Sequence, residues 1–156
     1  MNTEHQMRLN DFFVNVFNQI LAWEEQTIKK TGVANLSVRE LHVIQAASDA
    51  AKLGQNTMAN IAKMLAVSPG ALSISVNGLV NKGYLEREYT AKDRRVIYIN
   101  LTQSGKDINE IHEAFHQEMI KAVEERLDDG QMDVLMEALE GLGTFFKEKI
   151  NNFTQG

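Results

Sequence analysis

The chain has 156 residues, 44% hydrophobic and 24% charged, with a formal net charge of −5, which is the composition of one ordinary globular domain with enough apolar side chain to fill a core. It contains no cysteine, so disulfides, thiolate metal sites and cysteine nucleophiles are excluded. No apolar run approaches the roughly 18 residues of a membrane span, and the opening "MNTEHQMRLNDFF" has no signal-peptide pattern; a cytoplasmic protein without a membrane partner is expected.

A long helix is predicted over residues 6–30, where Leu9, Phe12, Phe13, Val16, Phe17, Ile20, Leu21 and Trp23 recur at three- and four-residue spacing before Gly32 stops it. Ser37 caps a second helix, with Glu40 completing a capping box and Leu41, Val43, Ile44 and Ala47 on its apolar face. "SDAAKLGQN" reads as a looser stretch. Thr57 caps a short third helix, "MANIAKMLAV". In "SPGALSISVNGLVNKG" Ser68 is the N-cap, Pro69 the first helical residue and Gly83 the stop. Leu72, Val76 and Leu79 make its apolar stripe, so Gly70, Ala71, Ser73, Ile74 and Asn77 point elsewhere. Gly78 costs this helix about 1 kcal/mol of propensity.

"YLEREYTAKDRRVIYINLT" alternates apolar and polar residues on both sides of "KDRR", the pattern of a hairpin with a basic tip. A helix from about residue 103 to 127 follows, with Ile108, Ile111, Phe115, Met119 and Val123 on its apolar face. "DDGQ" is expected to break it before a last helix over about 131–150. With no repeat, low-complexity tract or linker, the expected architecture is a single, mostly α domain over 1–156 with a small β-hairpin.

A short helix followed within a few residues by a capped second helix is a helix-turn-helix candidate, here with "VSPG" as the turn. The second helix of such a unit lays its N-terminal half in the DNA major groove. Ser73 and Asn77 can hydrogen-bond to base edges, Ala71 and Ile74 can touch thymine methyls, and the N–H groups from Ser68 to Ala71 suit a phosphate. The hairpin tip places Lys92, Arg94 and Arg95 beside the helix, for phosphates or the neighbouring minor groove, and Asp93 is expected to hold one arginine in position. Thr57, Gly70 and these residues form the candidate DNA-binding set. Charge is distributed accordingly: residues 57–95 carry +3, which leaves −8 on the rest of a −5 chain.

"VSPGALSISVNGLVNKGYLEREYTAKDRRVIYINLTQSGK" resembles the winged helix-turn-helix of the MarR family of bacterial transcription regulators, through "V-S", "L-V-N-K-G-Y-L-E-R", "D-R-R" and "L-T-x-x-G". The long flanking helices extend the likeness over essentially the whole chain. "S-V-R-E-L-H", "D-R-R-V" and "H-E-A-F-H" are most similar to the family's repressors of fatty-acid synthesis. The resemblance implies a homodimeric, ligand-responsive repressor on a pseudo-palindromic double-stranded DNA operator. Residues 1–35 and 103–156 would be its dimerisation helices and 36–102 its DNA-binding part. It needs no cofactor. An acyl-type effector, free or on an acyl carrier, would enter an apolar junction lined by Phe13, Phe17, Leu41, Ile111 and Phe115.

His112 and His116, at i and i+4, can reach one ion. Zinc-sensing relatives place a glutamate and three histidines where Glu25, His42, His112 and His116 stand, so a zinc-responsive regulator is the alternative, against a hydrogen-bonded structural cluster. Two further classes stay open. "H-E-A-F-H" fits the zinc-peptidase pattern H-E-x-x-H, with Glu113 as general base, although a winged helix-turn-helix leaves no chain for a substrate cleft. The basic hairpin could instead bind an acidic protein partner.

Overall fold

The computed structural model describes residues 2–33 and 35–154; residues 1, 34, 155 and 156 lie outside it. Among the described residues, six helices and one two-stranded sheet follow in the order α1 (Thr3–Lys30), α2 (Val38–Lys52), α3 (Met58–Leu65), α4 (Pro69–Asn81), β1 (Leu85–Tyr89), β2 (Ile97–Leu101), α5 (Gln103–Glu124) and α6 (Asp129–Thr154). They divide into two compact units, Met1–Phe115 and His116–Gly156, so α5 begins in the first and ends in the second. No single helix among the described residues is long and apolar enough to cross a membrane.

The first unit is built around Ile44, Ala47, Ile61, Leu72, Val76, Leu79, Leu85, Ile99 and Ile108, all buried. The predicted apolar stripe of the fourth helix, Leu72, Val76 and Leu79, is wholly inside. Each large aliphatic side chain buried in this way contributes roughly 1.5–3 kcal/mol, which outweighs any of the exposed ion pairs around it.

Helix starts follow the capping rules. Ser37 accepts from Glu40 N at 3.2 Å while the Glu40 carboxylate accepts from Ser37 N at 3.0 Å. Thr57 caps α3 through Asn60 N, and Ser68 caps α4 through Ala71 N. Between α3 and α4 the chain bends by 108°, inside the helix-turn-helix range. Ala66 makes the turn in the left-handed region, at φ 52°. Gly83 ends the next element at φ 82°, a conformation that glycine adopts without a Cβ penalty.

β1 and β2 pair antiparallel, Leu85 opposite Leu101 and Tyr89 opposite Ile97. The root of this hairpin is closed by the "L-T-x-x-G" segment. Thr102 donates its N–H to Tyr84 O (3.1 Å) and its hydroxyl to Gly83 O (2.6 Å), and its Oγ1 accepts from Gly105 N (3.1 Å). Gly105 is buried, and a Cβ there would overlap the Tyr84 carbonyl. Buried Asn56 ties the entry of α3 to β2: its carboxamide donates to Ile99 O at 2.8 Å and Ile99 N donates to Asn56 O at 2.9 Å.

Several boundaries differ from the sequence expectation, α1 opening at Thr3, α3 ending at Leu65 and α6 closing at Thr154 among them. "SDAAK" is not loose but the last turn of α2, because Ala50 is fully buried against the core and alanine is the best helix former. α5 ends at Glu124 rather than near 127. The break before the last helix falls at 125–128, and "DDGQ" also starts that helix: in the second unit Asp128 accepts from Gln131 N (2.9 Å) and Gln131 Oε1 accepts from Asp128 N (3.0 Å), a reciprocal cap that lets α6 begin at Asp129 rather than near 131.

The two glycines near this framework should respond oppositely to alanine. Gly105→Ala should cost roughly 1–3 kcal/mol, since the new methyl meets backbone that cannot yield. Gly78→Ala places a Cβ at an ordinary 3.6 Å from Glu40 Oε1 and should stabilise by up to about 1 kcal/mol. Urea unfolding of both variants measures the signs.

Candidate nucleic-acid interface

α4 presents the face that its buried stripe leaves over. Ile74 is 74% exposed, and Gly70 and Asn77 are exposed beside it. Ser73 and Ala71 are half-buried and Ser68 is exposed. Thr57 is half-buried and committed to its cap. Among the described residues no acid lies on α4.

The wing tip is ordered from within. Thr90 Oγ1 donates to Asp93 O (2.9 Å) and accepts from Asp93 N (3.2 Å). Asp93 Oδ1 accepts from Arg95 N at 2.9 Å and from Arg95 Nε at 3.3 Å. The arginine that Asp93 holds is therefore Arg95, whose side chain is 93% exposed. Lys92 and Arg94 are exposed as well, Arg94 beside Tyr89, Thr90 and Ala91.

One residue at this surface was not marked by sequence reasoning. Arg87, in β1, donates from Nη2 to Asn77 Oδ1 and so bridges the wing to α4. The alternation of the hairpin held the signal: Arg87 sits opposite buried Ile99 and two residues after buried Leu85, so it shares the inward face. At the far end of α4, Lys82 reaches Glu40 Oε1 at 2.7 Å and the Asn35 carbonyl. Burial pushes the Glu40 carboxyl up, but the bonds from Lys82 and Ser37 outweigh it and hold it below the ordinary range.

The histidine cluster forms with a different glutamate from the one expected. Glu24 Oε1, 2% exposed, accepts from His42 Nε2 at 2.9 Å and from His112 Nε2. The three residues each offer one ligand atom, all within 4.8 Å of one another. Glu25 is exposed instead. Adjacent helical residues are about 100° apart, and the inward direction of α1 is that of Glu24 and Ile28, its two buried residues. His116 lies one turn beyond His112 on α5, half-buried, in the second unit.

The expected effector junction is only partly assembled. Leu41, Ile111 and Phe115 do line one cavity, with Glu24, Thr27 and His112, but it holds only about 10 Å³. Phe13 and Phe17 are 43% and 62% exposed: α1 meets α2 and α5 through its C-terminal turns, where Glu24 is, and these two phenylalanines sit two or more turns earlier. A larger cavity of about 240 Å³ lies between α2 and the helix-turn-helix, lined by Arg39, His42, Val43, Ala71 and Ser75 among others. Glu113, the candidate peptidase base, is instead tied to Lys52 at 2.9 Å and to Asn109 at 2.9 Å. Lys52 holds its carboxyl below the usual range, and Glu113 in turn raises the Lys52 amine.

A bent helix pair with an exposed second helix and a basic hairpin docked on it defines a winged helix DNA-binding domain, and residues 36–105 match the family model of that description. Over 92% of this chain and 98% of its own, the structure of Streptococcus pneumoniae FabT in complex with DNA superposes with a TM-score of 0.81 at 28% identity. A MarR/EmrR family transcriptional regulator from Acinetobacter sp. ADP1 gives 0.68 at 21% identity, covering 95% of this chain and 99% of that one. The HTH-type transcriptional regulator YhjH of Bacillus subtilis (strain 168) is 24% identical over 130 residues, 75% of this chain and 73% of its own. Residues 36–105 are thus a winged helix DNA-binding domain, and the chain as a whole is similar in fold to transcriptional regulators of the MarR family.

The Glu24 cluster makes a stability prediction that holds whatever it binds. His112→Ala should destabilise by roughly 1–3 kcal/mol, since it strips a buried carboxylate of a donor. His42→Ala, at a half-exposed side chain that water can replace, should cost less. Thermal unfolding without added metal gives the ranking.

Proposed function

We propose that the protein is a homodimeric, ligand-responsive repressor that reads a pseudo-palindromic operator with two copies of α4. The observation that carries this reading is the pairing of an acid-free α4 face, with Gly70, Ile74 and Asn77 exposed and Ser73 half-buried among them, with an exposed wing bearing Lys92, Arg94 and Arg95. A two-fold operator requires a two-fold reader. Exposed apolar side chains supply surface for one: Phe12, Phe13 and Phe17 on α1 and, separately, Val134, Leu139 and Phe145 on α6. In this reading the exposure of Phe13 and Phe17 belongs to dimerisation rather than to a ligand cage.

Wing and helix separate in a binding titration against salt, using fragments recovered by genomic DNA pull-down and sequencing. Arg94→Ala and Arg95→Ala should each weaken binding to all sequences and lower the slope of log K against log salt by about 0.9. Loss confined to particular sequences would place the arginine in a minor groove. Unchanged affinity in both variants would take the wing out of the mechanism and favour an acidic protein partner.

The regulon we infer is fatty-acid synthesis, with an acyl-type effector. Supporting it are the resemblance of "S-V-R-E-L-H", "D-R-R-V" and "H-E-A-F-H" to repressors of that pathway and the whole-chain likeness to FabT. An acyl chain needs the cavity at Leu41, Ile111 and Phe115 to open, or uses the larger one beside His42. A zinc-responsive regulator is the second reading, favoured by the convergence of Glu24, His42 and His112. Two imidazoles and a carboxylate are a donor set that zinc accepts. Acyl carriers of graded chain length and zinc, titrated separately into the DNA-binding assay, decide between them. The acyl reading expects a chain-length-dependent shift that survives chelator. The zinc reading expects a shift that His112→Ala abolishes, with about one zinc per chain by elemental analysis.

A further inference from the structure

We propose that Arg87 is a positioning residue for base reading: by holding the carboxamide oxygen of Asn77 it makes Asn77 enter the major groove as a hydrogen-bond donor, which selects a guanine edge. The proposal rests on the reading of Asn77 as a base contact.

The geometry is specific. Arg87 lies on the inward face of β1, opposite Ile99, and its Nη2 meets Asn77 Oδ1. Guanidinium has five donors and no acceptor, so the carboxamide atom facing it has to be the oxygen. The carboxamide is thereby turned one way. On the outward face of the same strand Glu88 is engaged by Asn100 Nδ2 at 2.8 Å, which leaves the arginine directed at α4.

An unconstrained asparagine reads adenine with both ends, donating to N7 and accepting from N6. Asn77 has its oxygen turned to Arg87, and its two Nδ2 hydrogens remain to face DNA. Guanine shows N7 and O6 side by side, two acceptors with no donor between them. Adenine sets an N6 donor next to N7, opposing the second hydrogen of the amide. The adjacent guanidinium charge adds to the preference for the acceptor-rich edge. Fixing the carboxamide before binding also removes rotamer entropy that an exposed asparagine would otherwise lose in the groove.

The test is selection of binding sites from a randomised DNA duplex library by the full-length protein, for the parent, Asn77→Ala, Asn77→Asp, Arg87→Met and Arg87→Lys, each checked for its helical circular dichroism. The parent should enrich one guanine per half-site. Asn77→Asp keeps an acceptor for Arg87 but has no N–H, and should lose that guanine as Asn77→Ala does. Arg87→Met should reduce guanine-over-adenine preference there about tenfold while the rest of the motif stays. Arg87→Lys, which still donates to the oxygen, should retain part of the preference. An Asn77-dependent adenine in the parent motif would overturn the proposal. So would an Arg87→Met variant that keeps its motif and merely binds all sequences less tightly with a shallower salt slope, the behaviour of a phosphate contact. If Asn77→Ala leaves the entire motif unchanged, the reading of Asn77 itself fails, which is a separate result from failure at Arg87.

Discussion

Gly105 lies directly against the Tyr84 carbonyl, and the root of the wing is built around that close approach. Thr102 sits between them and binds Gly83 O, Tyr84 O and Gly105 N together. The end of α4, both roots of the wing and the start of α5 thus meet at one point. A side chain at position 105 would overlap the Tyr84 carbonyl, so α5 or the root of the hairpin would have to shift. The orientation of the wing relative to α4 is set here by a missing methyl group and three hydrogen bonds, one between backbone groups and two through the Thr102 hydroxyl.

From that point outward the interface is increasingly organised by side chains. Leu85 and Ile99 seat the sheet in the core. Arg87, one step further, joins sheet to helix through Asn77. At the tip Thr90 and Asp93 close the loop on itself and Asp93 holds Arg95. The acid in "KDRR" is therefore a structural element of a basic loop: it spends one negative charge to order the backbone that carries three positive ones. Lys82 and Glu40 do the same service at the other end of α4, tying it to α2.

Local chemistry made most of this visible from sequence. Caps at Ser37, Thr57 and Ser68, the stop at Gly83 and the alternation of the hairpin each act within a few residues, so their outcome is written locally. The break before the last helix is legible at "DDGQ", but its glycine and two acids hide the reciprocal cap of Asp128 and Gln131 that starts α6 at Asp129. The polarity of "SDAAK" hides Ala50, whose burial depends on the rest of the core. Glu24 replaced Glu25 because one residue on a helix is about 100° of rotation, and only packing against α2 and α5 says which of two neighbouring glutamates faces in. Phe13 and Phe17 were legible as apolar but not as exposed, since burial depends on where along α1 the other helices cross. The Arg87–Asn77 bond was illegible for the same reason: it joins two elements through a register that only the folded hairpin fixes.

His42 has two neighbourhoods. Its Nε2 meets Glu24, while its ring also forms part of the wall of the cavity shared with Ala71 and Ser75 of α4. Any occupant of that cavity that changes operator affinity by some factor must itself have its affinity changed by operator DNA by the same factor. A molecule that releases the protein from DNA is thus bound more weakly by copies sitting on operators than by copies free in solution. The free copies would fill first, so the number of protein molecules in excess of operator sites would set how much signal must accumulate before a gene responds.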